Sequence, residues 1–420
     1  MRNPSYSISK LLPLVLICSS VSVVVVYFFR FISLNPFYPQ VAEKSNNFVP
    51  ALLAIPLFIG LFYLFAKHLN SGLPHIVLEF HIGSGKLPIL NFIFQFLGAS
   101  VALLFGFAVG AIGPAIHIGA GASNLTAQLF KVPPCSLRVL TACGAAAAIT
   151  IMLDTPLMAI LFTYETIIRQ FRGRTLVLVT ASALFAQWLG HQYIGSTSFQ
   201  INLEQFELSM ALLGFLLLFG LICGLLSASF LNCIDFLTRK IRLNYWKKIT
   251  LAALFTALLS WLSPESIGLG YQLLDRLLYD QQLPSLLMLW FLIRFIGSIA
   301  VISLAIPGGA LGPSLILGAL TGAIFSQLLS IEAGQLFVVV GMGAFLGAVL
   351  RVPLAGMLFV LEATNEITLI IPCIIASYAA FYLHKRLSTY NNLIELLLVR
   401  QKIILRDSPS LKKKRLTSPL

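Results

Sequence analysis

Four stretches of the chain, 11–29, 48–66, 208–231 and 288–306, are almost unbroken apolar runs, the last interrupted only by Arg294. Each has roughly the 20 residues that an α-helix needs to cross the hydrocarbon of a bilayer. In lipid every backbone amide must be bonded within its own segment, so runs of this kind fold as helices. The balance of the chain agrees, with 58% of its 420 residues hydrophobic and 10% charged. A soluble domain is about a quarter charged. The expected fold is therefore an all-α polytopic membrane protein, integral and multi-pass. The run 11–29 is too long for the apolar core of a signal peptide, and no A-x-A cleavage pattern follows it, so it reads as a retained transmembrane helix.

Lys and Arg outnumber Asp and Glu by 28 to 15, a net charge of +13. The excess sits in short segments between apolar runs: Arg169, Arg172 and Arg174; then Arg239, Lys240, Arg242, Lys247 and Lys248; then Lys412, Lys413, Lys414 and Arg415. This is the pattern of the positive-inside rule rather than of a nucleic-acid footprint, and it puts these clusters in the cytoplasm. The six cysteines show no C-x-x-C pair and the six histidines no zinc pattern, so neither a metal nor a disulfide role is expected. No nucleophile–base constellation points to an enzyme, and no cofactor is implied.

The chain repeats itself. Gly110, Gly113, Pro114, Gly119 and Ala120 recur as Gly309, Gly312, Pro313, Gly318 and Ala319. Downstream, Gly144, Ala147, Pro156, Leu157, Leu161, Phe162 and Glu165 recur as Gly341, Ala344, Pro353, Leu354, Leu358, Phe359 and Glu362. Two blocks in one order at nearly one offset divide the chain into a first half at about 45–195 and a second at about 207–395, followed by a short basic tail at 401–420. Repeats of this kind are common in transporters, often inverted about the membrane plane.

Gly and Pro interrupt the apolar pattern at 83–88 (GSGKLP), 110–114 (GAIGP) and 307–313 (PGGALGP). A broken helix in hydrocarbon is tolerated where its freed backbone is buried in protein or faces a water-lined cavity. A helix restarting after such a break offers free N–H groups and the positive end of its dipole, which suits an anion. Ser84 would add a hydroxyl donor, and Lys86 would enrich anions in a vestibule.

These segments together resemble the CLC family of chloride channels and chloride/proton antiporters. GSGKLP looks like that family's GSGIPE element, and GAIGPAIHIGA like its G-[K/R]-E-G-P-x-x-H-I-G element. PGGALGPSLILGA resembles its GG-x-F-x-P element. The segments 144–165 and 341–364 are similar to the two family segments that end in PL…E. The resemblance covers about 83–390 and implies two inverted-topology repeats with broken helices, assembled as a homodimer in which each subunit carries its own anion pathway. It implies that Ser84 and Tyr390 supply hydroxyl ligands to a central chloride, with backbone amides near Ile112, Gly113, Ala310 and Leu311 completing the site. The family's regulatory CBS pair is not expected after Arg400.

Two positions depart from the family. Its gating glutamate falls at Ile112, and the second residue of its internal Glu-Glu pair, which carries protons in the antiporters, falls at Thr166. Neither side chain exchanges protons at neutral pH. Glu165, the first of that pair, is kept and is one candidate for a proton path; Glu362 and Asp154, the latter placed to cap the helix after it, are the other intramembrane acids. The expected function is passive chloride conduction without proton coupling, in a bacterial inner membrane. The alternatives are a secondary anion exchanger with other coupling residues and a scaffold that no longer transports.

Overall fold

The computed structural model describes residues 7–34, 49–65, 72–82, 84–170, 172–193, 206, 208–280, 282–331, 333–390 and 392–400. The first eight helices are α1 (Ile8–Leu34), α2 (Val49–Phe65), α3 (Leu73–His81), α4 (Ile89–Leu104), α5 (Ile112–Leu129), α6 (Pro134–Leu153), α7 (Pro156–Phe162) and α8 (Gly173–Tyr193). The next eight are α9 (Met210–Lys240), α10 (Tyr245–Leu262), α11 (Tyr271–Tyr279), α12 (Pro284–Ser303), α13 (Leu311–Leu328), α14 (Gly334–Leu350), α15 (Pro353–Thr364) and α16 (Ile370–Leu387). A short α17 (Leu393–Arg400) follows. Among the described residues, six helices are long and apolar enough to cross a membrane.

Prolines mark where helices begin. Pro134, Pro156, Pro284 and Pro353 each open a helix, at the position where the missing N–H costs nothing. The helix α6 ends with Asp154 at φ 58° and α14 with Arg351 at φ 60°, so the two repeats turn in the same left-handed way at corresponding positions. After α7 the first half continues as a π-helical turn, Thr163–Ile168, where the second half stays α-helical through Thr364.

The order α1–α8 runs parallel to α9–α16, and so does the packing. The helix α1 lies against α5, α6 and α8 as α9 lies against α13, α14 and α16. On this packing α1 corresponds to α9. Within each half two glycines let a helix pair touch backbone to backbone. A Cβ on Gly119 would lie 2.7 Å from the Gly144 carbonyl oxygen, and the equivalent Gly318 and Gly341 meet in the same way. Without a hydrophobic driving force in lipid, such small-residue crossings are what hold helices together.

The halves meet at their equivalent points. Gly110 donates to the Gly309 carbonyl at 2.7 Å, and Gly309 donates back to Gly110 at 3.0 Å. The exchange is antiparallel, so the two segments run in opposite directions across it, as inverted repeats require. Arg294, the one interruption of its apolar run, is fully buried on α12. Its guanidinium donates to the carbonyls of Ser266, Gly268 and Leu269 at 3.4, 2.5 and 3.1 Å. The charge thus holds the turn before α11, facing protein rather than lipid.

Candidate functional site

A cavity of about 170 Å³ lies between the halves and reaches the Gly110–Gly309 bridge, since Gly309 forms part of its wall. Four helices begin on it. Gly72, Leu73 and Pro74 open α3, Gly113 lies in the first turn of α5, Gly308 to Leu311 lead into α13, and Leu393 and Ile394 open α17. The first amides of a helix have no carbonyl partner within it, and each helix start carries about half a positive charge. Four such ends on one cavity make a field that favours an anion. Among the described residues no charged side chain lies in the wall. The space exceeds the roughly 10–15 Å³ needed to place one water by the same kind of measure, so it has room for a monatomic anion.

Of the residues singled out by sequence, the structure brings Gly113, Ala310 and Leu311 together on this wall. Ile112 is buried beside them, 1% exposed, as the residue before Gly113. Ser84 is not brought there. It is exposed, as is Lys86, on a connection clamped by Asn124, which donates to the Gly85 carbonyl at 2.8 Å and accepts from the Leu87 amide at 2.9 Å. Asn124 is three turns along α5 from Gly113, roughly 16 Å at 1.5 Å per residue. The segment that does reach the cavity, 72–74, is preceded in the chain by Ser71, which lies outside the described residues. Spacing could have found it. Ser71-Gly72-Leu73-Pro74 has one residue between Gly and Pro, as GSGIPE does, whereas Gly85 and Pro88 are separated by two.

Tyr390 is also placed elsewhere. Its hydroxyl accepts from Arg239 Nη2 at 2.9 Å, and the guanidinium, itself 2.7 Å from Asp235, lies 5.9 Å from the ring centroid. The part of α17 on the cavity is Leu393, Ile394 and Leu397. Tyr390 thus ties the start of α17 to the end of α9.

Glu362 and Glu165 join the halves. Glu362 on α15 accepts from the amides of Leu157 and Met158, both at 2.8 Å, at the start of α7. Glu165, in the π-helical turn, accepts from the amide of Ala355 at 3.4 Å at the start of α15. Leu157, Met158 and Glu165 are the repeat equivalents of Leu354, Ala355 and Glu362, so each half caps a helix of the other. Asp154 does not cap α7: it terminates α6, and its carboxylate lies 2.8 Å from His191 Nε2. The cap comes instead from a residue 205 positions away, which no local pattern could reveal. Thr166 is buried in the π-helical turn. Losing a carboxylate cap costs about 0.5–2 kcal/mol. Glu362→Ala is expected to lower thermal stability in detergent by about that much, and more than Glu165→Ala, because the Glu362 bonds are short, at 2.8 Å, where the Glu165 bond to Ala355 is 3.4 Å. Equal melting temperatures for the two variants and the wild type would show that the caps carry no weight.

The fold and this cavity define an integral, multi-pass membrane protein of inverted repeats, with broken helices aimed at a site between them. The chain belongs to the family described as voltage gated chloride channel, whose profile matches residues 51–385. It is 30% identical over 338 residues to an H(+)/Cl(-) exchange transporter, ClcA, of Vibrio cholerae, covering 75% of this chain and 71% of that protein. A ClcA of Vibrio campbellii is 29% identical over 336 residues, with the same two coverages of 75% and 71%. Among solved structures, a slow cyanobacterial Cl-/H+ antiporter superposes with TM-score 0.81 at 20% identity, over 95% of this chain and 98% of that one. A CLC-type fluoride/proton antiporter superposes with TM-score 0.82 at 23% identity, over 94% and 99%. These two likenesses speak to the fold alone.

Proposed function

We propose that this chain conducts chloride and similar halides passively through the cavity between its halves, without exchanging protons. The observation that carries the reading is the convergence of four helix starts on a cavity whose wall, among the described residues, holds no titratable side chain. Isoleucine at position 112 and threonine at 166 leave no proton carrier at the two family positions. Proton-coupled exchange through other residues is the second reading, favoured by relatives that are named exchangers.

The same reading carries the assembly and its placement. The described wall of the cavity comes from one copy, so a homodimer would contain two pathways, in a bacterial inner membrane. Two of the three basic clusters lie by α17: Arg239 bonds Tyr390 just before it, and Glu395 within it acts electrostatically on Arg169. That common neighbour supports one side, the cytoplasmic one, for the two clusters.

Efflux from reconstituted vesicles tests the assignment. Helix dipoles are a weak, neutral-walled cage, and they offset the hydration of chloride or bromide better than that of fluoride, which water holds more tightly. Chloride and bromide efflux should exceed fluoride efflux by about tenfold, the factor given by roughly 1.4 kcal/mol of extra dehydration cost. Ser84→Ala should conduct as the wild type does. Vesicles that release fluoride as fast as chloride would sink the assignment.

A further inference from the structure

We propose that the carboxamide of Gln95 binds the anion in the cavity and sets which anions pass; this rests on the conduction reading above. Among the described residues of the wall Gln95 is the one with a polar side chain, the others being glycine, proline, aliphatic or phenylalanine. It lies inside α4 (Ile89–Leu104) and is 3% exposed. Within a helix the backbone N–H and C=O are used by the helix, so the part of Gln95 that meets the cavity is its side chain.

The packing of α4 fixes that face. Gly98, almost one turn further on, sits so close to Pro307 that a Cβ there would come 2.9 Å from its Cγ. Pro307 belongs to the turn that lines the cavity and leads into α13. Phe94, beside Gln95, is also in the wall. The stripe of α4 carrying Gln95 is therefore pressed against the break from which α13 starts.

The chemistry suits a transient anion ligand. A primary amide has two N–H donors and a carbonyl with two lone pairs. Gln95 has a partner within the protein, and an amide of two donors and two lone pairs can serve more than one. A neutral donor binds an anion more weakly than a lysine would, and conduction needs binding strong enough to admit the ion and weak enough to release it. In a wall otherwise apolar, the amide adds a directed donor to the helix dipoles. It favours chloride over weakly hydrated anions such as nitrate, which gain less from a hydrogen bond.

The experiment measures initial anion flux against concentration in vesicles containing full-length protein, for chloride and nitrate. A hydrogen bond to a charged group is worth enough to change binding about tenfold or more. Gln95→Leu is expected to raise the half-saturating chloride concentration by about that factor and to shift the chloride-to-nitrate ratio toward nitrate. Gln95→Lys is expected to do the reverse: a lower half-saturating concentration and a lower maximal rate, because release slows. A residue that only filled space would not give opposite shifts in the two variants. Should Gln95→Leu fail to fold, Gln95→Lys and Gln95→Glu decide, the first tightening chloride and the second excluding it. Wild-type flux with half-saturation and selectivity unchanged in the variants that fold overturns the role of Gln95 alone. No chloride flux in the wild type overturns the conduction reading, and this proposal with it.

Discussion

A chloride gradient imposed across vesicles containing this protein is expected to run down without driving protons uphill. Coupled exchange needs a titratable group that enters the anion path in one state and carries a proton in another. At the start of α5 the residue facing that task is Ile112, buried beside the cavity wall. Its side chain can obstruct the path but cannot change charge. Thr166, at the second family position, offers a hydroxyl that does not ionise near neutral pH. Glu165, the residue before it, is an acid, and its carboxylate is engaged at the start of α15. Ile112→Glu tests the same argument from the other side. An ionised carboxylate there would compete with chloride for the amides of α5 and α13, and protonation would withdraw it. Flux through this variant should therefore be low at neutral pH and rise as pH falls through the carboxylate's titration range, by about tenfold or more if the competing interaction reaches the 1.5–3 kcal/mol of a charge-assisted hydrogen bond. The wild type should show no such dependence over the same range. Simultaneous recording of chloride and pH in the vesicle assay reads both. Wild-type proton pumping that Glu165→Gln abolishes would overturn the uncoupled reading and favour exchange.

The repeat was legible because its two copies share residues that physics makes irreplaceable. Gly110 and Gly309 match in sequence and bond to each other in space; Glu165 and Glu362 match and cap each other's half. The outer helices were harder to pair. The helices α1 and α9 pack equivalently, but lipid-facing positions ask only for apolarity, so nothing in their residues records the correspondence. The cavity residues Gly113, Ala310 and Leu311 stood out through their Gly-Pro breaks, which have few other uses in hydrocarbon. Ser84 drew attention through its flanking glycines, although Gly85 turns at φ 79° to serve a connection clamped by Asn124. Gln95 carried no sequence signal at all: one glutamine in an apolar helix acquires meaning only when the opposite wall is known. Asp154 shows the same limit, since a residue before Thr-Pro looks like a helix cap until a distant carboxylate is found doing that work.

The bridge between the two halves should tolerate no added side chain. A Cβ on Gly110 would fall 2.6 Å from the amide nitrogen of Gly312 and 3.0 Å from Cδ of Pro313. A Cβ on Gly309 would fall 2.9 Å from both the nitrogen and Cα of Gly113. These neighbours are backbone and a proline ring at helix starts, so no flexible side chain can move aside. Either Gly110→Ala or Gly309→Ala must push the two segments apart. That weakens the reciprocal hydrogen bonds, worth about 1 kcal/mol each, and adds overpacking of about 1–3 kcal/mol. Because Gly113 and Gly309 also form the cavity wall, the displaced backbone would misalign the amides that face the anion, so flux should fall along with stability. Gly214→Ala on α9 is the matched control: a Cβ there meets nothing within 4 Å, and alanine in a helix is favoured over glycine. The two bridge variants should each lower the melting temperature in detergent, by similar amounts. Combining them should cost less than the sum, because both break one contact and such changes are not additive. If Gly110→Ala and Gly309→Ala melt and conduct as Gly214→Ala does, the halves are not held together at this bridge, and the cavity must be organised by the glutamate caps instead.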